Sequence, residues 1–218
     1  MLIANLVPLA GVLFWQWSVS SVIILYWFEN VVIGIVNVAR MIAVAPAGSG
    51  VGTDVATMIH GAKFFVIPFF IFHYFFFCAG HGIFVFSMFP DENGFFPETN
   101  SIQLFSALSR AFEIFATPLA LAAWALVLSH AISFGVNYLG GGEYRRLNID
   151  RLMLMPYGRI VVLHITIIVG GFVTMALGEP IWVIVILVLV KIGVDLKMHL
   201  TEHLKTAGES QIKQVHSD

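Results

Sequence analysis

The sequence predicts an all-α, polytopic membrane bundle of about six transmembrane segments. Three observations carry that expectation. The chain is 59% hydrophobic and only 11% charged, where a soluble domain carries about 25% charged residues. Several apolar runs exceed the roughly 18 residues that mark a membrane-spanning helix. Its 20 Phe and 5 Trp among 218 residues suit a lipid-facing exterior. The single cysteine, Cys78, excludes an internal disulfide and any multi-cysteine zinc motif. A net charge of −2 gives no reason to expect nucleic acid as a partner.

Residues 2–16 are apolar but short, and Pro8 and Gly11 interrupt them. They predict a tilted or re-entrant first segment. With no basic stretch before it, this segment does not read as a cleaved signal. Ser18 to Ser21 can cap a second segment over about 19–44. Ala47 to Thr53 is a glycine-rich linker. The third segment, about 56–89, is longer than one crossing needs, and Pro68 predicts a kink in it. Pro90 to Asn100 is an acidic loop with turn chemistry. Residues 101–116 read as an interfacial helix and 118–139 as the fourth span, with Pro118 between them. An arginine-rich loop, Gly140 to Pro156, leads to a fifth span at 157–178. The turn Gly178-Glu179-Pro180 leads to a sixth at about 181–204. The whole is one transmembrane domain over 1–204, with a polar tail over 205–218.

Orientation follows from the basic residues. Arg145, Arg146, Arg151 and Arg159 surround one loop, Arg40 and Lys63 flank the glycine-rich linker, and Lys197, Lys205 and Lys213 lie near the C-terminus. Six crossings put all of them on one side, which predicts both termini in the cytoplasm and an inner-membrane protein; a re-entrant first segment puts the N-terminus outside and leaves the other spans as they are.

Seven of the eight histidines lie in or at the ends of the apolar segments: His60, His73, His81, His130, His164, His199 and His203. An ionisable side chain inside a bilayer is costly and marks a functional site by default. Asp195, His199 and His203 share one helical face through their i, i+4, i+8 spacing. Depth counted from the span ends groups them with His164 and with His130, Ser129 and Ser133 in the cytoplasmic half. A second group lies higher: Glu29 in mid-span, with His73 and His81. Lys191 stands four residues before Asp195, so that pair can neutralise itself. A single membrane histidine ordinarily bonds a carbonyl or hydroxyl on a neighbouring helix, and His60 reads as an interfacial structural residue. The collective number lifts the group above that background. A mid-span carboxylate such as Glu29 has to be protonated or paired. The Phe-rich run 64–77 reads as lipid-facing bulk and core, and Cys78 as a small buried hydrophobe.

The chain resembles a bacterial and archaeal family of multi-pass membrane proteins classed as a domain of unknown function. The resemblance runs through Asn5 to Leu9 with Gly11 to Leu13, Tyr26-Trp27 with Glu29 to Val32 and Gly34, then Asn37, Arg40 and Met41. It continues through His73-Tyr74, His81-Gly82, Ser129-His130, Ser133-Phe134, Asn137-Tyr138, Glu143-Tyr144, Arg146, Pro156-Tyr157, Arg159 and His164. It ends with Lys191, Asp195, His199 and Glu202-His203. The resemblance implies the membrane fold and a shared polar interior. It carries no activity.

Three or four imidazoles with a carboxylate suit Zn²⁺, Fe²⁺ or Mn²⁺, with zinc the first expectation. The leading reading is a metal-dependent membrane hydrolase acting on a lipid-like substrate near the cytoplasmic leaflet. His130, His164 and His199 are its expected ligands, with His73, His81 and His203 as further candidates. Asp195, Ser133 and Glu29 are the expected catalytic groups. Membrane lipids are partners in any case, and a homo-oligomer is open. Two other classes stand beside it. One is redox, with haem between His73 or His81 and His130 or His164, or with non-haem iron. The other is a proton or cation transporter using Glu29, His73, His81, Lys191 and Asp195 as a relay.

Overall fold

The structure, a computed structural model, describes residues 17–45, 53–89, 104–145, 148–178 and 182–190 with Phe14 and Gly193; residues 53–60, 174 and 175 are described in backbone only. The described residues are mostly helical and contain no strand. Four stretches among them are long and apolar enough to cross a membrane: Val19–Ala43, Gly61–Met88, Ala120–Gly140 and Ile149–Val173. The protein is therefore an all-α membrane bundle. The predicted first segment and most of the sixth lie outside the described residues, as do the glycine-rich linker and the acidic loop. The chain divides into two compact units, Ser18–His164 and a second made of Met1–Trp17 with Ile165–Asp218.

In the larger unit, helix α1 spans Val19–Ala43. It starts where predicted, because the Ser18 hydroxyl accepts from Ser21 N at 3.4 Å and satisfies one of the first turn's free N–H groups. Helix α2 spans Thr53–Met88 and carries Pro68 inside it. Helix α3, Leu104–Glu113, turns through a short 3₁₀ stretch, Ile114–Ala116. It buries Ala107, Arg110 and Ala111 and exposes Phe105 and Phe112, the two-faced pattern expected of the interfacial helix. Helix α4, Ala120–Ser133, continues as π-helix over Phe134–Gly140, where Gly141 N donates five residues back to Val136 O at 2.9 Å. Helix α5 is Ile149–Leu154 and helix α6 is Tyr157–Leu177. The arginine-rich loop is thus shorter than predicted. Residues 149–154 are helical and extend the fifth span, which draws Arg151 into it and sets Arg159, at the edge of the predicted span, deeper.

Helix α1 is the central element. It packs on α2, α4 and α5, and 56% of its apolar window is buried against 6% for Ala120–Gly140. Lipid tails are as apolar as leucine, so close packing and hydrogen bonds have to hold such helices together. Gly34 of α1 lets the Tyr74 ring lie where a Cβ would stand. Gly82 of α2 does the same for Trp27, whose Cζ2 would lie 3.0 Å from an added Cβ. Two bonds lock the register: Trp27 Nε1 donates to Cys78 O at 2.8 Å, and Tyr74 Oη to Asn30 O at 3.0 Å. Each is worth on the order of 1 kcal/mol in a membrane bundle.

One end of this unit collects the basic side chains. Lys63 Nζ donates to Ile42 O at 3.0 Å, and Tyr138 Oη to Arg40 O at 2.8 Å. Ala45 N donates to Tyr144 O at 2.9 Å, and the Arg40 guanidinium lies over the Tyr138 ring. The Lys63 bond occupies the Ile42 carbonyl in the last turn of α1, where carbonyls lack a partner within the helix. In the smaller unit, α6 ends at Leu177 and Gly178 after it takes φ +76; residues 182–190 are helical again. Gly170 there meets Val183 so closely that an added Cβ would lie 3.0 Å from its Cγ1.

Candidate functional site

Trp27, Asn30 and Gly34 of α1 are committed to α2, so Glu29 projects from a different face, about 100° from Asn30 around the helix. There it meets two other helices. Glu29 Oε1 accepts from Arg159 Nη1 of α6 at 2.6 Å and lies 3.4 Å from His130 Nε2 of α4. The short contact is a charge-assisted bond; the longer one is weak. Glu29 is ten residues into α1, about 15 Å from its start. Arg159 is ten residues beyond Ile149, and His130 ten beyond Ala120, each again about 15 Å into its candidate span. All three groups therefore sit near mid-depth. Side-chain exposure is 17% for Glu29, 23% for His130 and 51% for Arg159, so the carboxylate is enclosed while much of the guanidinium faces outward.

A second contact joins α2 to α6. His81 is buried, and its Nδ1 lies 2.7 Å from Phe77 O. A carbonyl only accepts, so that nitrogen carries the hydrogen. In the neutral ring Nε2 is then an acceptor. It lies 2.9 Å from His164 Nδ1, which donates to it. His164 Nε2 is then the unprotonated nitrogen, at an exposed position and with no hydrogen-bond partner among the described residues. The order of donors is therefore set from the Phe77 carbonyl outward. Arg159 and His164 are five residues apart on α6, about 7.5 Å along the axis and about 140° around it. One faces α1 and α4, the other α2.

His73 lies in neither contact. It stacks on Phe69 with ring centroids 5.5 Å apart and sits 5.4 Å from Phe77 and 5.8 Å from Tyr157. Phe65, Phe69, His73, Phe77 and His81 form a ladder of rings along α2 at four-residue steps. Ser133 accepts from Asn137 Nδ2 at 3.3 Å, one turn further along the chain.

The predicted residues thus come together differently from their counted depths. Glu29, placed in the upper group, is held with His130 from the lower one. His81, also placed high, is held with His164. The expected pairing of His130 with His164 is replaced by these two crossed pairs. Among the described residues no three of His, Cys, Asp and Glu gather around a point where a metal ion would fit. Asp195, His199, His203, Glu202 and Lys191 lie outside the described residues, and the side chain of His60 is not described. Arg159 is the member of the Glu29 contact that the sequence reading does not assign to the site. A span begun at 157 leaves Arg159 at its edge, beside the loop arginines. Starting the span at Ile149 brings Arg159 toward the depth of Glu29, and a mid-span carboxylate that is not protonated needs such a partner.

No curated protein and no solved structure matches the chain. The model of one family, described as a family of unknown function (DUF6498), matches residues 1–211. Trp27, Glu29, Gly34, His81, His130, Tyr138, Arg159 and His164 are among the residues that carry the earlier resemblance and also seat helices or form the two polar contacts, and the chain belongs to that family of unknown function.

Proposed function

We propose that the protein is a proton-handling transporter of the prokaryotic plasma membrane, with Glu29 and His130 as its central exchange site. The observation that carries this reading is the Glu29 carboxylate, held at mid-depth by side chains from two other helices. A charge so placed is expensive to keep in a bilayer, and a purely structural bundle does not need it. His130 can exchange a proton with Glu29, while Arg159 offsets the carboxylate's charge. The His81–His164 pair supplies a second station with its own proton order. Gathering of Arg40, Lys63 and Arg145 at one end of the larger unit favours that end as cytoplasmic.

The test is proton flux in liposomes containing the purified protein and a pH-sensitive dye, driven by an imposed potential. Wild type is expected to acidify or alkalinise the lumen well above empty vesicles. Glu29→Gln should lower the rate at least about tenfold, the size of effect typical of removing a proton-transfer group. Wild-type flux equal to that of empty vesicles would sink the reading.

A second reading keeps the divalent metal, zinc first. Two ligand nitrogens on one tetrahedral ion stand about 3.3 Å apart. His81 Nε2 and His164 Nδ1, at 2.9 Å, come from separate helices and nearly meet that spacing. His81 is also oriented through its other nitrogen by a backbone carbonyl, as metal-bound histidines usually are. Such an ion would need at least one more ligand. The hydrolase reading draws on this pair alone, since His130 is engaged with Glu29. A haem needs a porphyrin between its two histidines, for which a 2.9 Å contact leaves no room at this pair.

A further inference from the structure

A guanidinium offers five N–H donors in a planar fork. Among the described residues Arg159 makes a single hydrogen bond, from Nη1 to Glu29 Oε1. Glu29 uses that same oxygen toward His130, so its contact with Arg159 is one-pronged. The strong arrangement between these two groups is the two-pronged fork, with parallel N–H···O bonds to both carboxylate oxygens. Glu29 therefore leaves most of the fork open, and the 51% exposure of the Arg159 side chain gives a ligand access to it. About 15 Å into a span, water is too scarce to satisfy the remaining donors cheaply.

We propose that the open edge of Arg159, beside His130, is the binding site for a monocarboxylate substrate, and that Glu29 is its built-in competitor. This deepens the transporter reading and rests on it for the word substrate. Glu29 shows the size and charge of group the guanidinium takes at this depth. A dianionic phosphate would bring a second negative charge that no described residue offsets. A carboxylate that takes both prongs loosens Glu29 from Arg159 and leaves His130 as its remaining partner. Binding of substrate and release of Glu29 become one event. The carboxylate can belong to a small water-soluble acid or to the head of a fatty acid arriving from the bilayer; the chemistry at Arg159 is the same.

The experiment is saturable equilibrium binding to the full chain in a maltoside detergent, with radiolabelled butyrate in one arm and decanoate in the other. Saturable binding in either arm is expected, and which arm responds identifies the source. Arg159→Gln should weaken it at least about tenfold, and Glu29→Gln should tighten it about tenfold, since the amide competes poorly for a guanidinium. If Arg159→Gln does not fold, Glu29→Gln alone decides: unchanged or weaker binding by that variant overturns the proposal. Absence of saturable binding in both arms also overturns it. Intact binding without proton flux would instead remove the transporter reading and keep the site.

Discussion

His81 and His164 show how little separates a hydrogen-bonded pair from half of a metal site. The same two nitrogens, 2.9 Å apart, share either a proton or an ion. The Phe77 carbonyl fixes His81 in the one tautomer that serves both. Elemental analysis of the purified protein, prepared without chelators, separates the two. If the pair is a ligand set, zinc near one per chain is expected in wild type and should fall at least about tenfold in His164→Ala, a loss in the range seen when a metal site is disrupted. Metal content that is the same in wild type and variant would leave the pair as a proton station only. That His73, His81, His130 and His164 lie on membrane-spanning helices was legible from the apolar segments that carry them. Their partners were not, because depth along a helix can be counted while azimuth and helix order cannot. Arg159 illustrates the point. Its role depended on where a helix begins, and the six residues Ile149–Leu154 looked like loop because two arginines and several loop formers precede them.

At the scale of the element, α1 is the scaffold on which both contacts depend. Its Tyr26-Trp27-Phe28-Glu29-Asn30 stretch alternates duties around the helix: Trp27 seats α2, Glu29 reaches α4 and α6, and Asn30 receives Tyr74 through its carbonyl. Gly34 completes this by admitting the Tyr74 ring. Gly34→Val is expected to force α1 and α2 apart and to cost about 1–3 kcal/mol, as overpacking of a tight contact does. It should lower the detergent-solubilised melting temperature, whereas Gly61→Ala, where an added Cβ meets nothing, should not. Equal melting of the two variants would contradict the packing described. The span boundaries of α1 and α2 were legible from the Ser18 cap and the length of the apolar runs. The π-helical end of α4 was not, since nothing in Phe134–Gly140 distinguishes a five-residue hydrogen bond from a four-residue one. Its geometry follows from carrying Tyr138 onto Arg40.

For the whole molecule, the membrane class followed from composition alone, because so few charges over so many apolar residues admit little else. The larger unit binds its spans with contacts that reach far along the chain, from Asn37 Nδ2 to Leu152 O at 2.8 Å and from Glu29 to Arg159 across 130 residues. That second separation has a consequence for biosynthesis. Ribosomes extend a chain at about 5–20 residues per second, so Arg159 appears roughly 7–26 s after Glu29. During that interval α1 is already made and its carboxyl group has no cationic partner from α6. Full insertion of α1 should therefore wait for α6, with the translocon or the membrane surface holding the early helix. Nascent chains halted near residue 145 are expected to leave α1 accessible to a water-soluble reagent at a cysteine placed beside Glu29. Chains halted after residue 190, or a Glu29→Gln chain halted early, should protect it. Full protection of wild-type α1 at the early stop would mean that the first helix commits to the bilayer before its counter-charge exists.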